Sequence, residues 1–174
     1  LPAAWLLDGV PADFALLNDS KQLSEASREG FFEALTTLPG LRHAVASVDA
    51  NRIDAINILR ATHQAMLSAL NRLDPPPDHV LVDGLRVATL PWPQTPIVKG
   101  DARSYTIGAA SIIAKVTRDR LMLDHGRRYP GYGFAQNKGY GTAAHLEALR
   151  KLGPCPIHRR SFAPVKPVQG ELFT

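Results

Sequence analysis

A chain of 174 residues can bury a sizeable core, and 45% apolar with 21% charged residues is ordinary globular composition. Its one cysteine, Cys155, excludes an internal disulfide and a multi-cysteine zinc site, and no apolar run is long enough for a membrane helix. The formal charge of +4 hides an asymmetry: Lys115 to Lys166 holds eleven Lys/Arg against three Asp/Glu, a net of +8, so the rest carries −4.

In chain order, Leu1 to Leu7 reads as the end of an apolar strand with nothing before it, so the chain is expected to be a fragment. That opening has no basic n-region, and with one cysteine a cytoplasmic setting is expected. Asn18-Asp19-Ser20-Lys21 is a polar loop. Ser24 is placed to cap a helix running to about Leu38, with Glu25 and Glu29 near the positive end of its dipole. Pro39-Gly40 ends it. His43 to Val48 alternates as a strand does. Asp49 then opens one helical region reaching about Leu73, with Ile53, Ile56, Leu59, His63, Met66, Leu67 and Leu70 along one stripe. On that stripe His63 reads as a packed side chain rather than a ligand. The prolines at 75–77 form a rigid connector.

Val80 to Val82 reads as a buried strand with Asp83-Gly84 at its exit, and Ile97-Val98 as a second strand followed by Lys99-Gly100-Asp101. A helix from Ala102 to about His125 follows. Its Gly108, Ala109, Ala110, Ser111 and Ala114 give a thin face suited to close packing on a sheet. Lys138-Gly139-Tyr140-Gly141 is a glycine-rich, aromatic and basic loop. Thr142 caps a short helix to Leu152, and His158-Arg159-Arg160 lies in the tail. Strands alternating with helices predict an α/β fold.

Two of these residues carry metal chemistry in one reading. Asp83 and Asp101 each follow an apolar run, and on neighbouring strands their carboxylates could converge on one hard cation, which Mg²⁺ would suit. The other reading makes Asp83 part of an Asp-Gly turn and Asp101 a helix cap. Lys99, Lys115, Arg118 and Lys138 are candidate phosphate contacts or solvated surface charges. Tyr140 is a stacking platform or a packed loop anchor. Asp119, between two arginines, suits an ion pair better than a third ligand. His158 could touch phosphate or anchor the tail.

Taken together the motifs carry a resemblance. The chain resembles bacterial ribonuclease HII over nearly its whole length, through Leu17-Asn18-Asp19-Ser20-Lys21, Asn57-Ile58-Leu59, Val82-Asp83-Gly84 and Val98-Lys99-Gly100-Asp101. The match continues through Ala109 to Asp119, Tyr129-Pro130-Gly131-Tyr132-Gly133-Phe134, Lys138-Gly139-Tyr140 and His158-Arg159-Arg160-Ser161-Phe162. The resemblance implies an RNase H-like α/β fold: a mixed sheet flanked by helices, with a basic helical C-terminal region. It implies one domain over 1–174, about 1–128 being the catalytic core and about 129–174 the substrate-binding region. It also implies Mg²⁺ or Mn²⁺ as cofactor and cleavage of RNA in RNA–DNA hybrids or at single ribonucleotides in duplex DNA. Products would carry 3′-hydroxyl and 5′-phosphate ends. Asp83 and Asp101 match two of the family's four acidic metal positions, Tyr140 matches the tyrosine that recognises the RNA–DNA junction, and Lys21 falls in a loop near the substrate. Two departures stand out. The family's Asp-Glu-Ala-Gly-Arg-Gly motif is absent, so the first strand is expected to be missing and the fragment inactive. Asn137 stands where relatives often have histidine. A non-catalytic hybrid-binding protein and a different carboxylate-dependent phosphotransferase are the alternatives.

Overall fold

The computed structural model describes residues 23–165. The expectations for Leu1–Leu7 and for Lys21 lie outside them. The described chain forms helices α1 (Glu25–Thr37), α2 (Ala50–Ile56) and α3 (Ile58–Leu70), then strands β1 (Val80–Asp83) and β2 (Gln94–Ile97). After a 3₁₀ turn at Gly100–Ala102 come α4 (Tyr105–Arg128), the single turn α5 (Phe134–Asn137) and α6 (Ala143–Leu152). These elements belong to two compact units, one holding the described residues up to Ala46 with Met66–Arg118 and the other Ser47–Ala65 with the described residues from Asp119 onward.

Local capping chemistry starts three of the helices. The side chains of Ser24, Asp49 and Thr142 accept the backbone N–H groups of Ser27, Arg52 and His145, occupying donors that a first turn leaves without partners. The region after Asp49 is two helices rather than one. Asn57 adopts φ 69°, which breaks the hydrogen-bond ladder, and its Oδ1 then accepts the Arg60 N–H to start α3. With ψ at 164° Asn57 lies outside the left-handed helical region, in backbone that is otherwise almost confined to glycine.

In the first unit, Leu35 of α1 and Ala109, Ile112, Ile113 and Val116 of α4 bury one another, with Leu35 and Ile112 fully inaccessible. Burying a leucine or isoleucine completely contributes about 1.5–3 kcal/mol. The small residues of α4 do not form one packed face as expected: Gly108 and Ala109 are buried, but Ala110 and Ala114 are exposed. The stripe that packs is the one carrying the larger aliphatics. His43 to Val48 carries no strand among the described residues, and the Val45 carbonyl accepts the Arg72 guanidinium at 2.6 Å.

β1 and β2 are parallel, with Val80 opposite Gln94 and Asp83 opposite Ile97. β2 therefore ends at Ile97 and begins earlier than the apolar pair 97–98 suggested. It accommodates Pro96, which has no N–H to give to a ladder. Val80, Val82, Val87 and Leu90 form a second core with Met66, Leu67 and Leu70 of α3 against it. The connection from β1 to β2 is held by Gln94, whose side-chain amide accepts the Val87 N–H at 2.8 Å and donates to the Val87 carbonyl at 3.0 Å.

In the second unit Met122, Tyr132, Phe134 and Leu149 make a third core. Tyr132 and Phe134 stack at 5.4 Å, and the rings of His145 and His158 stack at 5.4 Å beside them. His158 is thus an anchor of the tail, and its Nδ1 accepts the Cys155 N–H at 3.0 Å.

Candidate active site

Alternation along β1 buries Val80 and Val82 and turns the Asp83 side chain outward at the strand's end. Gly84 follows at φ 95°, a conformation that favours glycine, and its N–H closes the pairing with the Ile97 carbonyl at 2.9 Å. The chain leaves β2 through Val98 and Lys99, whose backbone is left-handed at φ 55°. This reversal brings the next amide back to β1, and Gly100 N–H donates to Asp83 Oδ1 at 2.8 Å. Gly100 is buried, and a Cβ there would stand 2.5 Å from Ile107 Cδ1 and 3.4 Å from Asp83 Oδ1. The approach of carboxylate to backbone depends on the missing side chain.

Asp101 follows directly in the 3₁₀ turn, half-buried, with its Oδ1 accepting the Ala102 N–H at 3.0 Å. The structure therefore ties Asp83 to the turn that carries Asp101. The reading of these residues as turn and cap holds in part. Asp83 precedes a glycine turn and Asp101 satisfies a nearby amide, yet Asp83 reaches across seventeen residues rather than capping its own turn. Asp119 is buried on α4 at 6% exposure. Among the described residues no group of three or more His, Cys, Asp or Glu side chains comes together as a metal site.

Lys138 and Tyr140 lie in the second unit. Lys138 closes α5 with a left-handed backbone at φ 50°, and the Tyr140 side chain is 60% exposed. Asn137 organises this loop: its Nδ2 donates to the Tyr132 carbonyl at 2.7 Å, and its Oδ1 accepts the Gly139 N–H at 2.8 Å. Its main-chain carbonyl accepts the Tyr140 N–H at 2.8 Å. Tyr132 in turn donates its hydroxyl to the Gly153 carbonyl at 2.7 Å, and burial pushes its phenol above the ordinary range.

Sequence reading did not single out Gly100, the loop-holding role of Asn137, or Asp54. On α2, Asp54 accepts the backbone N–H groups of Arg160 at 2.7 Å and Ser161 at 3.0 Å, together with the Ser161 hydroxyl. Hydrogen bonding from Ser161 above all holds its carboxyl below the usual range. Glycine inside Lys-Gly-Asp was the available signal for the first. For Asp54, more than a hundred residues from its partners, there was none.

Comparison with known proteins gives first a class. The fold is that of ribonuclease H2 from Pyrococcus horikoshii OT3, with a TM-score of 0.71 and 26% identity, covering 88% of this chain and 79% of that one. This is an RNase H-like α/β fold. The family model of ribonuclease HII matches residues 14–165. Ribonuclease HII of Bacillus cereus strain B4264 is 52% identical over 159 residues, 90% of this chain and 61% of the relative. That of Lachnoclostridium phytofermentans is 50% identical over 155 residues, 88% of this chain and 61% of the relative. The chain belongs to the ribonuclease HII family. It spans less than two thirds of the length of these relatives.

Proposed function

We propose that the whole protein is a divalent-metal-dependent endonuclease acting on the RNA strand of RNA–DNA hybrids and on single ribonucleotides in duplex DNA, leaving 3′-hydroxyl and 5′-phosphate ends. The observation that carries this reading is the Asp83–Gly100 bond, which fixes one carboxylate to the turn holding another. Two aspartates are hard oxygen donors, and Mg²⁺ or Mn²⁺ fits a set that leaves positions for water and substrate phosphate. Asp83 and Asp101 would hold the ion. When bound, it supplies charge stabilisation to the oxygens of the phosphodiester.

The remaining roles fall to this chain's own side chains. Lys99 and Lys138 contact phosphates, Tyr140 stacks at the RNA–DNA junction, and Lys21 approaches the substrate. Residues to about 128 form the catalytic core and about 129–174 the substrate-binding region, in a cytoplasmic protein. No helix among the described residues is long and apolar enough to cross a membrane.

The 174 residues contain no Asp-Glu dipeptide, so two of the family's four carboxylates are not in this chain. By itself the chain is expected to bind a ribonucleotide-containing duplex and not to cleave it. Robust Mg²⁺-dependent cleavage abolished by Asp83→Asn would overturn that expectation of inactivity. Calorimetry with Mn²⁺ should show weak binding that falls several-fold on Asp83→Asn. A second reading is a non-catalytic hybrid-binding protein, favoured by the net charge of +8 between Lys115 and Lys166. Salt-sensitive duplex binding with no Mn²⁺ binding would favour it over the nuclease.

A further inference from the structure

The tail turn that carries Arg159 and Arg160 is pinned from two sides within the second unit. On one side His158 packs its ring against Tyr132 at 5.1 Å and Phe134 at 5.5 Å, and stacks on His145. On the other, Asp54 of α2 gathers both main-chain N–H groups at 160 and 161 and the Ser161 hydroxyl. Arg159 is held over the Phe162 ring at 4.8 Å, and Arg160 is exposed.

The choice of partner matters here. Asp54 lies against the most basic stretch of the chain, where a carboxylate opposes the approach of any polyanion. Yet its hydrogen bonds go to the main chain and a serine, not to either guanidinium. The turn is fixed with neither guanidinium hydrogen-bonded to Asp54, although the Arg159 charge lies close enough to help hold the Asp54 carboxyl down. A flexible tail would lose conformational freedom each time it met a phosphate, and a turn already held loses less.

We propose that Asp54 is a positioning residue for nucleic-acid binding: it holds the Arg159–Arg160 turn so that both guanidiniums meet the phosphate backbone of a duplex. This rests on the nucleic-acid-binding reading of the family. It adds a residue that touches no substrate and whose charge, taken alone, is unfavourable.

That sign separates the proposal from simple electrostatics. Deleting a negative charge beside a basic surface should tighten polyanion binding. Deleting a positioning group should weaken it. The test uses the full 174-residue chain and fluorescence anisotropy with an all-DNA duplex and the same duplex carrying one ribonucleotide, from about 50 to about 200 mM salt. Asp54→Ala should lower affinity for both duplexes several-fold and flatten the plot of log K against log salt by about 1–2, the loss of one or two phosphate contacts. Asp54→Asn keeps one acceptor oxygen and should fall between. Ser161→Ala removes one bond and no charge, and should shift binding in the same direction by a smaller factor. The double variant Arg159→Ala/Arg160→Ala should reproduce the loss, and adding Asp54→Ala to it should cost nothing more.

Unchanged or tighter binding by Asp54→Ala at an unchanged salt slope overturns the proposal. So does a loss that adds in full to that of the arginine pair. Equal wild-type affinity for the two duplexes would sink ribonucleotide recognition alone, since phosphate contacts are common to both and the Asp54 comparison would still be read. A wild-type chain that binds neither duplex overturns both.

Discussion

Replacing Asn137 tests how the loop bearing Lys138 and Tyr140 is held. Asn137→Ala removes two side-chain hydrogen bonds, to the Tyr132 carbonyl and from the Gly139 N–H. Neither partner is left buried and unsatisfied: the Tyr132 carbonyl keeps the His145 Nδ1–H at 2.9 Å, and exposed Gly139 can turn its N–H to water. The cost is then the net worth of two ordinary bonds without a desolvation penalty, about 1–3 kcal/mol. Asn137→Asp sharpens the test. It preserves shape and the acceptor for Gly139, but sets a carboxylate oxygen where an amide donated at 2.7 Å to a carbonyl. Two acceptors then face each other, so the aspartate variant should be at least as destabilised as the alanine one. Urea unfolding followed by circular dichroism reads both, and anisotropy with the ribonucleotide duplex should show weaker binding by each. An Asn137→Asp variant as stable as wild type would refute the reasoning. So would a loss above about 4 kcal/mol for Asn137→Ala, too large for two replaceable bonds.

Two further outcomes follow from the same structure. His158 is held below its ordinary value of 6.5 by burial first and then by the neighbouring His145. The folded chain takes up that proton less readily than the unfolded chain, so stability should be full above about pH 6.5 and fall as pH drops from there toward the folded value. Thermal melts at about pH 8 and about pH 5.5 should show a larger loss for wild type than for His158→Phe, and equal losses would count against the argument. Gly84→Ala meets no atom within 4 Å of the new Cβ, so its cost is the backbone at φ 95° alone, about 1–2 kcal/mol in a urea melt. An unchanged midpoint would show that the turn relaxes.

What was legible in the sequence was chemistry confined to a few neighbouring residues. Ser24, Asp49 and Thr142 cap the helices that begin after them, because a cap is a bond three residues long. The short aliphatic run at 80–82 is a strand for the same local reason. The hydrophobic stripe after Asp49 ran through Asn57 without interruption, and periodicity alone does not register a single residue at positive φ. His43 to Val48 alternates, but alternation says nothing of whether a partner strand is present, and the Val45 carbonyl is taken by an arginine side chain. At the site, the two aspartates stood out through residue type and position. The Gly100 amide that binds Asp83 did not, nor did the amides that bind Asp54, because those contacts exist only after distant segments meet. Spacing left open the choice between turn residue and ligand for Asp83 and Asp101, and only the family resemblance leans to the ligand role proposed above.

Both lysines assigned to phosphate hold left-handed backbone, Lys99 at φ 55° and Lys138 at φ 50°. A side chain there costs about 1 kcal/mol that glycine would not. A programme of thermostability engineering would rank Lys99→Gly and Lys138→Gly among its first substitutions, since each relieves torsional strain at a single exposed or half-exposed turn. Under the proposed function each would also delete a phosphate contact. On the roles proposed for Lys99 and Lys138, the turns easiest to make more robust are the ones whose side chains would serve the ligand.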